Sequence, residues 1–127
     1  MPSRVLVAEQ IAPRGIEALK AAGLDVDERL DLGPDQLLEA VHDAAALIVR
    51  SATQVTAELI ERASRLKVIG RAGVGVDNVD VQAATKRGVL VVNAPESTVI
   101  SASEHAIGLL LALARSIPQA HAALKEG

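Results

Sequence analysis

Short apolar segments alternate with amphipathic segments over the first 95 residues, and this alternation restricts the fold more than any other feature of the sequence. Five apolar segments have the length of buried strands, namely residues 4–8, 24–30, 45–52, 67–73 and 89–95. Four segments with the apolar spacing of helices lie between them, at residues 13–23, 34–44, 57–66 and 80–88. Continuous apolar strands separated by helices are typical of a parallel sheet that is covered on both faces. We therefore predict an α/β fold built on a doubly wound, five-stranded parallel sheet.

Residues at the ends of the predicted helices agree with this division. Pro13 and Pro34 fall in first turns, where the N–H that proline lacks has no helical partner. Thr56 can cap the third helix with its hydroxyl. Gly23 and Gly88 follow the first and fourth helices, where a left-handed residue is favoured.

The last thirty residues do not fit the alternation. Ser101 and Glu104 have the spacing of a capping box, so we expect a helix to begin there. Residues 106–114 are apolar on every face, which is typical of an enclosed helix. Each leucine of Leu109–Leu111 left in water forgoes roughly 1.5–3 kcal/mol. We therefore expect a further domain or another subunit to cover this helix, and a second helix to follow the break at residues 116–118.

Composition excludes several classes of function. The chain has 127 residues, a net charge of -3, no cysteine and no aromatic residue. Base stacking on aromatic side chains is therefore excluded, and no basic surface for nucleic acid is indicated. Disulfides and cysteine-based metal sites are excluded as well. No apolar run reaches the roughly 18 residues of a membrane span, so we expect a cytoplasmic protein.

The candidate site lies in the loops that follow the third and fourth strands. Ligands of open parallel sheets bind outside the carboxyl ends of the strands. Arg50 and Arg71 both fall at this edge, and Gly73 and Gly75 allow close approach to backbone N–H groups. Guanidinium groups and successive amides both suit phosphate and carboxylate oxygens, which favours a site for a small acid. The alternative is that the arginines form surface ion pairs with Asp43, Asp77 or Asp80.

The same loop is a poor match for a dinucleotide site. A G-x-G-x-x-G fingerprint follows the first strand of its unit and opens a helix. Here the motif follows the fourth strand, and Asn78 stands where the third glycine is required.

Four segments, "VRSAT", "GRAGVGVDNVD", "GVLVVNAP" and "SASEH", occur in this order and together resemble the D-isomer-specific 2-hydroxyacid dehydrogenase family. The similarity extends over essentially the whole chain. It implies that residues 1–97 are an incomplete, flavodoxin-like substrate-binding domain. Residues 98–127 would be the first helices of an NAD-binding domain, which in the family also contact the second subunit of a dimer.

The resemblance also implies roles for individual residues. Arg50, Ser51 and Arg71 match positions at the phosphate end of the substrate in members that oxidise 3-phosphoglycerate to 3-phosphohydroxypyruvate, in serine biosynthesis. The Gly73–Gly75 loop matches amides that bind the substrate carboxylate, and Val74 a position beside the nicotinamide of NAD.

The family's catalytic Arg, Glu and His and its dinucleotide fingerprint match nothing in these 127 residues. Glu104 and His105 match a helix start and are not assigned to catalysis. We therefore expect no catalytic residue, no metal site and no activity from this chain alone, and a homo-oligomeric NAD-dependent oxidoreductase as the complete enzyme.

Two other readings of the sequence stay open. The chain could belong to another D-2-hydroxyacid dehydrogenase or a related corepressor, or to a small-anion-binding module without catalysis. A receiver-like signalling domain fits less well, because receivers need an acidic pair after the first strand and a phosphorylatable Asp after the third, whereas this sequence offers Glu9 and then Arg50–Ser51.

Overall fold

The structure, a computed structural model, describes residues 1–127 and divides them into two units, Met1–Pro95 and Glu96–Gly127. The first unit contains five strands and four helices in strict alternation. Their bounds are β1 Arg4–Val7, α1 Pro13–Ala21, β2 Asp25–Glu28, α2 Pro34–Val41, β3 Ala46–Val49, α3 Ala57–Arg62, β4 Val68–Arg71, α4 Val81–Lys86 and β5 Leu90–Asn93. The second unit contains α5 Val99–Ala114 and α6 Ile117–Glu126.

The five strands form one parallel sheet in the order β2-β1-β3-β4-β5. The α/β fold with a five-stranded parallel sheet is therefore confirmed. The strand order reverses between β1 and β3, so the loops after these two strands diverge and leave a crevice at the carboxyl edge.

The signals at the helix ends act as the sequence predicts. The Thr56 hydroxyl accepts a hydrogen bond from the Leu59 N–H at 3.3 Å. Gly23 and Gly88 have φ values of 78° and 68°, the left-handed region in which glycine is favoured.

The two faces of the sheet are covered unequally. One face carries the larger core, to which Leu6, Leu47 and Ile69 contribute fully buried side chains. The other face carries a smaller core around Val5, Val7 and Ile16, where α1 packs. Because side chains alternate along a strand, Leu90 and Val92 lie on this second face at the β5 edge, and they are 61% and 43% exposed.

The second unit has no buried residue in either helix. Ser116, with φ 51°, directly precedes α6, and the axes of α5 and α6 meet at a bend of 60°. No single helix is long and apolar enough to cross a bilayer, although the bent pair passes such a test on length and composition alone.

The predicted capping box at Ser101 and Glu104 is wrong. Helix α5 begins at Val99, two residues earlier, so Ser101 lies inside its first turn. There the Ser101 hydroxyl donates to the carbonyl of Thr98 at 3.2 Å instead of accepting a backbone N–H.

Candidate anion-binding site

Arg50 and Arg71 lie at the carboxyl ends of neighbouring strands. Arg71 is the last residue of β4 and is in register with Val49 of β3, and Arg50 follows Val49 directly. Arg50 is exposed and Arg71 is half-buried. The parallel pairing of β3 with β4 therefore brings the two predicted cationic residues to one edge of the sheet. Ser51, beside them, is exposed and lies in the same loop.

The loop that carries Arg50 is held by Glu9, at the end of β1. One oxygen of the Glu9 carboxylate accepts the N–H groups of Arg50 at 2.9 Å and Thr53 at 2.8 Å, and the other that of Ala52 at 3.4 Å. Burial opposes ionisation here, but the hydrogen bonds from Thr53 and Arg50 outweigh it, so the pKa of Glu9 lies below its ordinary value. Glu9 thus stays ionised and fixes the loop after β3.

Asn78 joins the two arginine-bearing segments. Its amide nitrogen donates to the carbonyls of Arg50 at 2.6 Å and Thr53 at 2.7 Å, and its amide oxygen accepts from Arg71 Nε at 3.3 Å. Asn78 is only 4% exposed and is the one polar residue in the buried set. The residue that breaks the dinucleotide fingerprint therefore serves as a clamp within the site.

The glycine loop is held at its carbonyl groups. Asn93 Nδ2 donates to the Val74 carbonyl at 2.7 Å, and the Ala94 N–H donates to the Gly73 carbonyl at 2.9 Å. The Gly73 N–H donates to the Arg71 carbonyl at 2.8 Å, so it is not free for a ligand. The Val74 and Gly75 N–H groups donate to no protein acceptor, and both residues are exposed. These two amides are the ones that can receive an anion.

Neither arginine forms the surface ion pairs of the alternative interpretation. Asp43 pairs with Arg4, at the opposite end of the strands. The Asp80 carboxylate accepts the Ala83 N–H at 2.9 Å and caps α4. Asp77 lies close to Gly75, where a Cβ would be 2.7 Å from its Oδ1, and it opposes part of the positive potential of the site.

Two clefts open at the carboxyl edge, and they differ in charge. The larger, of about 650 Å³, lies between the loops after β1, β2 and β3; its charged lining residues are Glu9, Asp31 and Glu58, all acidic. The smaller, of about 380 Å³, lies between residues 10–13, Arg50 and Ala72, and Arg50 is its one charged residue. Only the smaller cleft has a cationic lining residue; of the candidate site residues, Arg50 lines it, whereas Arg71 and residues 73–75 line neither cleft.

The glycine loop does not fit the pyrophosphate of a dinucleotide. Such a group needs free N–H groups at a helix N-terminus that starts directly after the loop. Here α4 starts six residues after Gly75, and the Asp80 carboxylate already occupies its N-terminus. Nothing in this loop supports NAD binding through phosphate.

Sequence reasoning missed Glu9, Asn78 and Asn93 as parts of the site. Each is polar and directly ends or follows a strand or loop at the carboxyl edge, which is a signal that could have selected them. Their partners are mostly backbone groups of other segments, however, and the sequence contains no mark of such pairings.

The fold defines an open parallel α/β protein with a candidate anion site at the carboxyl edge of its sheet, and comparison with known proteins gives the family. A family model described as D-isomer specific 2-hydroxyacid dehydrogenase, catalytic domain, matches residues 5–125. The chain belongs to that family.

Curated relatives share about half of its residues. D-3-phosphoglycerate dehydrogenase of Archaeoglobus fulgidus is 51% identical over 98% of this chain and 24% of its own length. The enzyme of the same name from Mycobacterium tuberculosis is 56% identical over 96% of this chain and 23% of its own. The chain therefore spans about a quarter of the length of these relatives.

Solved structures agree with the fold. The TT0316 protein of Thermus thermophilus superposes with a TM-score of 0.84 at 35% identity, over 98% of this chain and 40% of that one. An NAD-bound 3-phosphoglycerate dehydrogenase of Entamoeba histolytica superposes with a TM-score of 0.77 at 26% identity, over 88% of this chain and 39% of that one.

Proposed function

We propose that this chain is the substrate-binding part of an NAD-dependent oxidoreductase that oxidises 3-phosphoglycerate at its C2 hydroxyl to 3-phosphohydroxypyruvate. The observation that carries the proposal is that two arginines without a carboxylate partner and two free amides lie at one edge of the sheet. The names of the curated relatives support the same substrate.

The two parts of the site would bind the two ends of this substrate. Arg50 and Arg71, with Ser51 beside them, would bind the phosphate, because guanidinium groups match phosphate oxygens in charge and geometry. The amides of Val74 and Gly75 would bind the carboxylate. The Val74 side chain, 42% exposed, would lie beside the nicotinamide.

Residues 1–97 would form an incomplete substrate domain, and residues 98–127 the first helices of a nucleotide-binding domain. The exposed side chains of Leu90 and Val92 support the first statement, because a doubly wound sheet normally covers both faces. The apolar, exposed surface of α5 supports the second, and a homo-oligomer in which this surface is covered. The rest of the enzyme would bind NAD, supply the general acid and base and carry out the hydride transfer. The complete enzyme would act in serine biosynthesis in the cytoplasm.

Calorimetric titration of this chain with 3-phosphoglycerate, and separately with NAD, tests the proposal. We expect weak binding of the phosphorylated acid and almost none of NAD. NAD binding as tight as that of 3-phosphoglycerate would contradict the proposal that this chain binds the substrate and the rest of the enzyme binds NAD. Equal affinity for 3-phosphoglycerate and D-glycerate would favour an unphosphorylated 2-hydroxy acid, the alternative within the family.

A further inference from the structure

We propose that Asn78 and Asn93 are positioning residues that set the two ends of the anion site independently. Asn78 would fix the arginine end and Asn93 the amide end. This inference rests on the proposed function, since it assigns one asparagine to each part of that site.

Asn78 acts on both arginines at once. Through two carbonyls it holds the segment from Arg50 to Thr53, and through its amide oxygen it holds Arg71 Nε. Because all three partners meet at one buried side chain, its position determines how far apart the two guanidinium stems lie. A phosphate bound between the two groups depends on this spacing, so Asn78 acts mainly on phosphate recognition, even though the Arg71 guanidinium also packs against Gly73.

Asn93 acts only on the glycine loop. It ends β5, lies in register with Arg71 of β4, and donates one hydrogen bond, to the Val74 carbonyl. The Val74 carbonyl belongs to the peptide unit whose N–H is that of Gly75, so holding this oxygen orients a free amide. Asn93 is exposed, and replacing it leaves no buried polar group without a partner.

Backbone hydrogen bonds around Asn78 should keep variants at this position folded. The Val55 N–H donates to the Asn78 carbonyl at 2.8 Å, and the Asp80 N–H donates to the Val55 carbonyl at 2.9 Å. This bridge keeps the two segments together when the side chain is shortened. Asn78→Asp gives a second variant of the same shape, which keeps the acceptor for Arg71 but presents an oxygen to the carbonyls of Arg50 and Thr53.

The test compares 3-phosphoglycerate with D-glycerate, which lacks only the phosphate, by NMR titration of the isotope-labelled chain. The ratio of the two dissociation constants measures the contribution of the phosphate. In Asn78→Ala and Asn78→Asp we expect this phosphate advantage to fall at least about tenfold, the size of one charged hydrogen bond. The affinity for D-glycerate should stay nearly unchanged in Asn78→Ala and fall modestly in Asn78→Asp, because the aspartate adds a negative charge near the ligand. In Asn93→Ala both affinities should fall by the same factor and the ratio should stay.

A general loss of structure cannot produce this crossed pattern, because it would weaken both ligands in every variant. If the wild-type chain shows a phosphate advantage and Asn78→Ala keeps it, the role of Asn78 is refuted while the proposed function stands. If the wild-type chain shows no phosphate advantage, the proposed function fails first. In that case the solvent exchange of the Arg71 Nε–H, followed by its NMR resonance, still tests the role of Asn78. We expect slow exchange in the wild type and fast exchange in Asn78→Ala. Equal exchange in the two proteins overturns the inference.

Discussion

Gly73→Ala should weaken anion recognition with little effect on stability. A Cβ at Gly73 would overlap Arg71 Nη1 and lie 3.0 Å from Arg71 Cζ. Contacts this short force the guanidinium aside, which breaks its 3.3 Å hydrogen bond to Asn78. The backbone itself tolerates alanine, because Gly73 does not have the positive φ that requires glycine.

The expected magnitudes differ for binding and for folding. Loss of one charged hydrogen bond to the ligand costs about 1.5–3 kcal/mol, so the affinity for 3-phosphoglycerate should fall about 10- to 150-fold. In the unliganded chain, the lost hydrogen bond costs about 0.5–1.5 kcal/mol, and Gly→Ala restores about 0.4–1 kcal/mol by restricting the unfolded state. The free energy of unfolding should therefore change by less than about 1 kcal/mol.

Calorimetry with 3-phosphoglycerate and urea unfolding measure the two quantities. Gly70→Ala is the matched control, since it makes the same change three residues earlier, inside β4, and its Cβ would meet Ile48 Cγ1, Val92 Cγ2 and the Leu47 carbonyl oxygen only at ordinary distances of 3.6–4.0 Å. Arg71→Ala gives the full loss expected when the guanidinium is removed. The reasoning is refuted if Gly73→Ala binds as the wild type does, or if Gly70→Ala weakens binding to the same degree.

Three further changes test the neighbouring residues. Asp77→Asn should tighten 3-phosphoglycerate binding by about 0.2–1 kcal/mol, because it removes an exposed negative charge beside the free amides; weaker binding by calorimetry would contradict this. Asp80→Ala should cost about 1 kcal/mol of unfolding free energy through the lost N-cap and leave ligand affinity unchanged, as urea titration and calorimetry can show. Because the pKa of Glu9 is lowered in the folded chain, its stabilising effect is complete above about pH 4.3 and is lost as the pH falls through the folded value. The difference in unfolding free energy between wild type and Glu9→Gln should therefore shrink on acidification, and a constant difference would exclude this linkage.

The fold could be predicted from the sequence because its signals are local. Apolar runs, first-turn prolines and the left-handed glycines at positions 23 and 88 each act within a few residues, and all agree on the same alternation. The capping box failed for the same kind of reason: Ser101 and Glu104 have the right spacing, but the helix extends two residues further towards the N-terminus. Which of two possible starts a helix uses depends on context that the spacing does not contain.

The site was only half accessible to such reasoning. Arg50 and Arg71 could be selected because adjacency of parallel strands brings the ends of β3 and β4 together. Glu9, however, is 41 residues from Arg50 in sequence, and Asn78 is 28 residues from it. Both side chains bind backbone groups. Because every residue has a backbone, the sequence does not indicate which residue will be the partner.

The candidate site offers groups for binding an anion, but none of its carboxylates is suited to move a proton. A general base works best when its pKa lies near the operating pH. Glu9, the carboxylate nearest to Arg50, has a lowered pKa and gives its oxygens to three backbone N–H groups, so it is a weak base. Asp80 is similarly committed to a helix cap, and a guanidinium group has hydrogen-bond donors but no acceptor for a proton. If the proposed function is correct, this edge would hold an anion through fixed charges, and the proton acceptor for the oxidation would come from residues outside this edge.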